Sequence, residues 1–179
     1  MTAEYRLGRL ARLEIRVMPS VIVGTLGLWA TFSGIALWLM KLPAGEAILF
    51  GLAATALQWL FELIHQLGHA WAARRTGYPM IGVRFGAWYI FAISLYPPDE
   101  PELPASIHVR RALGGPLWGV AMTFLAAIIL LALRDAKGTL VWWLALFAFL
   151  ENLFIFTLQV FVPLGFNDGQ MLWNWWRKR

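Results

Sequence analysis

The sequence predicts an all-α membrane protein with four transmembrane helices and a short membrane-associated β-hairpin region on the cytoplasmic side. Three observations carry that prediction. The 179-residue chain is 60% hydrophobic, against roughly 45–50% for a soluble domain. Only 14% of its residues are charged, and they gather at the ends of long apolar runs. Four runs, residues 20–40, 47–73, 113–133 and 139–162, each reach the roughly 20 residues that a helix needs to cross a bilayer. A soluble domain of this size could not bury four such runs.

The charge pattern gives the direction of threading. With the N-terminus in the cytoplasm, 12 of the 15 basic residues fall on the cytoplasmic side and three, Lys41, Arg134 and Lys137, fall opposite. That asymmetry follows the positive-inside rule. The net charge of +5 therefore reports topology and attraction to anionic lipid rather than nucleic-acid binding. Both termini are expected in the cytoplasm. Trp38, Trp71, Trp142, Trp143, Trp173, Trp175 and Trp176 stand near span ends, where interfacial anchors lie. There is no cysteine, which excludes disulfides, thiolate metal sites and cysteine nucleophiles.

Each segment has its own signal, and with no internal repeat or low-complexity linker the chain reads as a single membrane-embedded domain. Residues 1–17 alternate Arg6, Arg9, Arg12 and Arg16 with Leu7, Leu10, Leu13 and Val17, a pattern expected of a basic helix lying on the interface. A disordered basic tail is the other reading of the same pattern. Residues 76–112 form the longest non-spanning piece. The part MIGVRFGAWYIFAISLY is rich in β-branched and aromatic residues and broken by Gly82 and Gly86, so it reads as strands, with Val83, Phe85 and Ile90 as candidates to hold an extended substrate. A cap with no substrate role is the other reading. PPDEPELP reads as an extended loop. The fourth run ends in VFVPLGFNDGQML, where Pro163, Gly165 and Gly169 break the helix around Asp168. Residues 169–179 are too short to cross again and are expected along the interface.

The chemistry centres on residues 61–75, FELIHQLGHAWAARR. His65 and His69 are four residues apart, so on a helix they share a face one turn apart and can hold one metal ion. A haem or chlorin takes a single axial His, which suits the pair less well. Two imidazoles leave a tetrahedral Zn2+ short of a protein ligand. Asp168 is the best candidate, because its helix break falls at the same depth as His69, which lies roughly 7 Å before Arg74 along the helix. Glu62, three residues before His65, lies on nearly the same face and reads as a support for His65 or as part of a polar cavity lining.

HQLGHA resembles the HELGHA zinc motif of the site-2 proteases, which cut peptide bonds within the membrane. RRALGGPLWG, opening the third run, is similar to the family's Gly-Pro element, carried by Gly115, Pro116 and Gly119. PLGFNDG resembles the family's Pro-x-x-x-x-Asp-Gly ending, with Asp168 as third zinc ligand. IRVMPS before the first run is a weaker likeness. The resemblance implies a site-2 protease core made of the second to fourth spans, a Zn2+ cofactor, a transmembrane substrate or partner protein, and the cytoplasmic membrane of a bacterium or archaeon.

The departures fall at the site. Gln66 stands where the family carries its catalytic Glu. Val160 stands in place of an Asn, Asn167 in place of a Leu and Gln170 in place of a Gly. The implied mechanism is metal-assisted hydrolysis, with a carboxylate moving the water's proton to the leaving amine. A Gln amide is no base, so Gln66 is expected to keep fold and metal and to remove most turnover. Two origins fit: a Glu-to-Gln substitution made to trap substrate, or a naturally silent homologue. A non-hydrolytic protein that keeps the zinc fold to hold transmembrane partners is the rival function.

Overall fold

The computed structural model describes residues 3–165 and 167–176. Five helices and four strands follow in the order β1 (Tyr5–Leu10), β2 (Leu13–Val17), α1 (Ser20–Trp38), α2 (Ala44–Arg75), β3 (Gly82–Ala87), β4 (Phe91–Leu95), α3 (Ala105–Ala132), α4 (Leu140–Glu151) and α5 (Asp168–Trp176). Among the described residues, four helical segments are long and apolar enough to cross a membrane: Ser20–Trp38, Ala44–Arg75, Ala105–Ala132 and Leu140–Phe161. Their outer surfaces are apolar. α1 buries only Gly24 and Ala36, and Phe124, Ile128 and Leu131 of α3 are more than half exposed, as surfaces turned toward lipid are.

The helices differ from the sequence expectation mainly in length. α3 begins at Ala105, just after Pro104, so the end of the expected 76–112 loop region is helical. α2 is 32 residues long, or about 48 Å, and extends past the expected run at both ends. The fourth span is not a regular helix throughout. α4 passes into a π-helical stretch (Asn152–Thr157) and then a 3-10 turn (Leu158–Phe161). Such changes of winding redirect the chain. The expected interfacial tail begins as α5, and Arg177, Lys178 and Arg179 lie outside the described residues.

One expectation is overturned. The described part of the basic N-terminal segment is not a helix: Tyr5–Leu10 and Leu13–Val17 pair as antiparallel strands. β2 then pairs in parallel with β3, and β3 antiparallel with β4, giving a four-stranded sheet in the order β1-β2-β3-β4. The Arg and Leu spacing mimics a helical period, but Ala11 and Arg12 adopt positive φ (49° and 69°), the conformation of a tight hairpin turn. Leu13 is buried among Ala70, Ala73, Val83 and Ala92. Tertiary pairing thus outweighs local periodicity.

The sheet packs against the C-terminal part of α2 through that apolar cluster. At the other end of the bundle, Ala36, Phe50 and Ala54 pack with Phe32 and Phe147. The hairpin joining β3 to β4 turns through Trp88 and Tyr89, both at positive φ (42° and 71°). Its tip reaches α1, where a side chain on Gly24 would strike the Tyr89 carbonyl. Across the middle, α2 and α3 cross closely. A Cβ added at Gly114 would lie 2.6 Å from the Ala72 Cβ, and one at Gly68 would lie 2.5 Å from the Gly114 carbonyl oxygen.

Candidate metal centre

The close crossing brings α3 onto the histidine face of α2. Gly115 faces the two imidazoles, and a Cβ there would come within 2.5 Å of His65 Cε1 and Nε2. Only glycine leaves the rings room. Pro116 lies inside α3 beside it. One turn on, Gly119 meets the Phe156 carbonyl of the π-helical stretch, where a Cβ would sit 2.5 Å from that oxygen. Phe156 in turn packs its ring 5.4 Å from His65. The altered winding of the fourth span therefore seats an apolar wall against the histidines.

Beyond that span the chain folds back. Asn167 donates from Nδ2 to the carbonyls of Gln159 (2.9 Å) and Val162 (2.7 Å), and its Oδ1 accepts from Leu164 N–H at 3.0 Å. These bonds staple the break that follows Phe161. Gly169 is buried against the Val162 carbonyl, 2.5 Å from where a Cβ would stand. Pro163 is exposed and does not line the cavity. The result is that Asp168, the first residue of α5, points back at α2.

His65, His69 and Asp168 converge. His69 Nε2 lies 3.0 Å from His65 Nε2. The Asp168 carboxylate reaches His65 Nε2 at 3.1 Å and His69 Nε2 at 3.4 Å. Two ligands at the usual zinc bond lengths in a tetrahedron stand about 3.3 Å apart, so the triangle has the dimensions of three zinc ligands. The tautomer agrees. His69 Nδ1–H donates to the Arg111 carbonyl at 2.8 Å, which leaves Nε2 as the lone-pair nitrogen. The Gly115 N–H, 3.3 Å from the same Nδ1, would need that nitrogen as an acceptor; the shorter bond decides.

The position beside the triangle is differently occupied. Gln66 Nε2 donates to the Ala92 carbonyl at 3.0 Å, and Gln66 Oε1 accepts from the Ser94 hydroxyl at 2.8 Å. Glu62 Oε1 accepts from the Ala92 N–H at 2.8 Å. Both side chains are buried, and both are turned to β4. The hydrogen bond of Glu62 goes to the strand and not to His65.

The triangle opens on a cavity of about 730 Å³, lined by Glu62, Gln66, β4 and the first turn of α5. In its lining, the buried Arg111 forms a two-pronged ion pair with Glu100 (2.5 and 2.9 Å) and donates to the Tyr78 carbonyl at 2.6 Å. The guanidinium lowers the Glu100 carboxyl below its usual range. It also lies 4.2 Å from the Tyr96 ring, whose hydroxyl burial pushes up to about 12.

The expected substrate strand is misplaced in part. Val83 and Phe85 lie on β3, which pairs on both sides and has no free edge. Val83 is fully buried. Ile90 is in the turn, packed toward α1. The sheet's outer strands are β1 and β4, and β4 is the one that lines the cavity. Three residues at the site were not singled out by the sequence. Gln159 donates to Asp168 Oδ2 at 2.8 Å; its signal is an amide in an apolar run, next to Val160 where the family carries an Asn. Arg111 was read as a topology charge. Ala92 gives no signal, because it acts through its backbone.

Comparisons with known proteins agree with this geometry. No family model matches the chain. A curated protein of Methanocaldococcus jannaschii, described as "Putative zinc metalloprotease MJ0611", is 27% identical over 129 residues, covering 63% of this chain and 64% of that protein. The chain thus spans less than two thirds of that relative's length. The solved structure of a site-2 protease from the same organism superposes over 96% of this chain and 70% of its own, with a TM-score of 0.59 at 16% identity. The likeness in structure establishes the fold, and with the curated relative it supports the site-2 protease resemblance carried by the motifs.

Proposed function

We propose that this chain, which has the site-2 protease fold, is an intramembrane zinc metalloprotease core of the site-2 type in which Gln66 holds the place of the general base. The observation that carries the proposal is the triangle of His65 Nε2, His69 Nε2 and the Asp168 carboxylate, 3.0–3.4 Å on a side. A Zn2+ ion held there supplies Lewis acidity toward a peptide carbonyl. The remaining parts are the chain's own. Gln159 fixes the Asp168 carboxylate, the Arg111 carbonyl fixes the His69 ring, and Phe156 walls the site from lipid. The substrate class is a transmembrane segment, unwound and extended beside β4, in a bacterial or archaeal cytoplasmic membrane. Gln66 can donate and accept hydrogen bonds, but it cannot take up a proton at neutral pH.

A second function is favoured by one observation. Both ends of the Gln66 amide are engaged by β4, so the residue is fitted as Gln rather than as an idle substitute for Glu. That suits a non-hydrolytic protein that retains the zinc fold to hold a transmembrane partner. Zinc content of the purified chain, measured together with cleavage of a transmembrane substrate after Gln66→Glu, separates the two. Zinc with cleavage supports the protease. Zinc with capture and no cleavage favours the binding protein. A chain that takes up no zinc refutes both.

A further inference from the structure

β4 is one of the two outer strands of the sheet, β1 being the other, and it is the one that lines the cavity. An outer strand carries a row of backbone N–H and C=O groups that must be paired or covered, above all away from water. At Ala92 both groups turn away from β3 and toward α2. The N–H meets Glu62 Oε1 at 2.8 Å, and the carbonyl meets Gln66 Nε2 at 3.0 Å. Glu62 and Gln66 are one helical turn apart on the same face. Together they present one acceptor and one donor to a single residue, as a neighbouring strand would. The Ser94 hydroxyl adds a third bond to Gln66 Oε1 at 2.8 Å. All three side chains face the cavity that holds the metal triangle.

We infer that Glu62 and Gln66 form a latch that closes the edge of β4 by imitating a paired strand, and that an extended peptide segment reaches this edge by displacing them. The occupant follows from what the latch imitates. Groups matched to a backbone N–H and C=O are replaced most directly by another backbone. The route follows from the sequence: Gln66 adjoins His65, so a strand taking the latch's place runs past the triangle. The identity of residue 66 sets the strength of closure. The Ala92 carbonyl requires a donor, which Gln has and an ionised Glu lacks. Gln66 is thus a positioning residue for β4 in this chain, whatever its part in turnover. The inference rests on the proposed function only for the incoming segment. The latch itself has its own measurement.

The experiment is amide hydrogen exchange at Ala92 in the full chain, zinc-loaded and in lipid nanodiscs. The unaltered chain is expected to protect this amide. Glu62→Leu removes the acceptor and should speed its exchange at least about tenfold, whereas Glu62→Gln keeps an oxygen there and should stay within about threefold of the unaltered chain. Gln66→Leu and Gln66→Glu should each speed exchange by about three- to tenfold by freeing the strand. A cooperative melting transition in each variant shows that the fold persists. The displacement is read with a Leu/Ala transmembrane peptide carrying a central Asn-Pro-Gly break and a photoreactive group: Gln66→Leu should capture it at least about threefold better. Fast exchange in the unaltered chain, or equal protection in Glu62→Leu and Glu62→Gln, overturns the latch. Faster exchange in Gln66→Leu without better capture overturns displacement by a strand. A chain with the expected exchange pattern but no zinc refutes the proposed function and leaves the latch standing.

Discussion

The His69 ring is held from behind by the backbone of α3: its Nδ1–H donates to the Arg111 carbonyl at 2.8 Å. That bond fixes which nitrogen faces Asp168. It comes from the backbone, so the Arg111 side chain is free for the ion pair with Glu100 in the cavity lining. One residue of α3 thus orients a candidate ligand with its carbonyl and tethers the loop after β4 with its guanidinium.

The purified chain is expected to carry about one zinc ion. His69→Ala and Asp168→Ala should each lose it, as read by metal analysis after dialysis. Gln159→Ala should weaken retention without abolishing it, because it removes only a bond to the Asp168 carboxylate. Full zinc retention in Asp168→Ala would remove that residue from the site.

Much of this was legible in the sequence, for physical reasons. Spans follow from length and apolarity alone, and the His65–His69 pair follows from helical spacing. Asp168 could be matched to their depth because Pro163 and Gly169 mark where the fourth span must break. The N-terminal strands were not legible. Their pairing with β3 is a long-range contact across two helices, whereas the Arg and Leu spacing is local and points to a helix. The edge of the sheet was missed for the same reason. Val83 and Phe85 look like any strand residues until β2 is found on their far side. The partners of Gln66 were beyond reach, because the Ala92 contacts are made by backbone that every residue has.

Gly115→Ala tests the crossing of α2 and α3. The new methyl group would lie 2.5 Å from His65 Cε1 and Nε2, so the helices must part or the ring must turn. Overpacking of this kind costs about 1–3 kcal/mol. A lower melting temperature and weaker zinc retention are both expected. An unchanged melt with full zinc would show that the crossing has slack.

The Glu100–Arg111 pair gives stability a dependence on acid. The hydrogen bonds from Arg111 place the folded Glu100 carboxyl below its ordinary value of 4.5. The pair's contribution is therefore complete above that value and is lost as the pH falls through the folded one. Melting scans at neutral and acidic pH should show this loss, and Glu100→Gln should flatten it. A loss of equal size in Glu100→Gln would assign it to other carboxyls.

An even number of spans puts both termini on one face, and the basic residues that gather there make the cytoplasmic side the expected one. Reporters fused to either terminus are expected on the cytoplasmic side, and a tag at Ala136, between α3 and α4, on the other. Reporters on opposite faces would mean that one of the four helices does not cross.

The sharpest prediction concerns position 66. A carboxylate there would adjoin the ligand His65 and could take up a proton, which the Gln amide cannot. Gln66→Glu should therefore produce cleavage of a helix-destabilised transmembrane substrate, with a gain of about 10²–10⁴-fold from general base catalysis alone. The gain should vanish with a chelator and with Asp168→Ala. The same substitution withdraws the donor to the Ala92 carbonyl, so the edge of β4 should open as activity appears. Glu62→Gln on that background should cost far less, because Glu62 is bonded to the Ala92 N–H at 2.8 Å and stands a turn from residue 66. An inert Gln66→Glu chain that still binds zinc and holds substrate would give the lead to the binding protein. A fast zinc-dependent cleavage by the unaltered chain, abolished by Glu62→Gln, would instead make Glu62 the base.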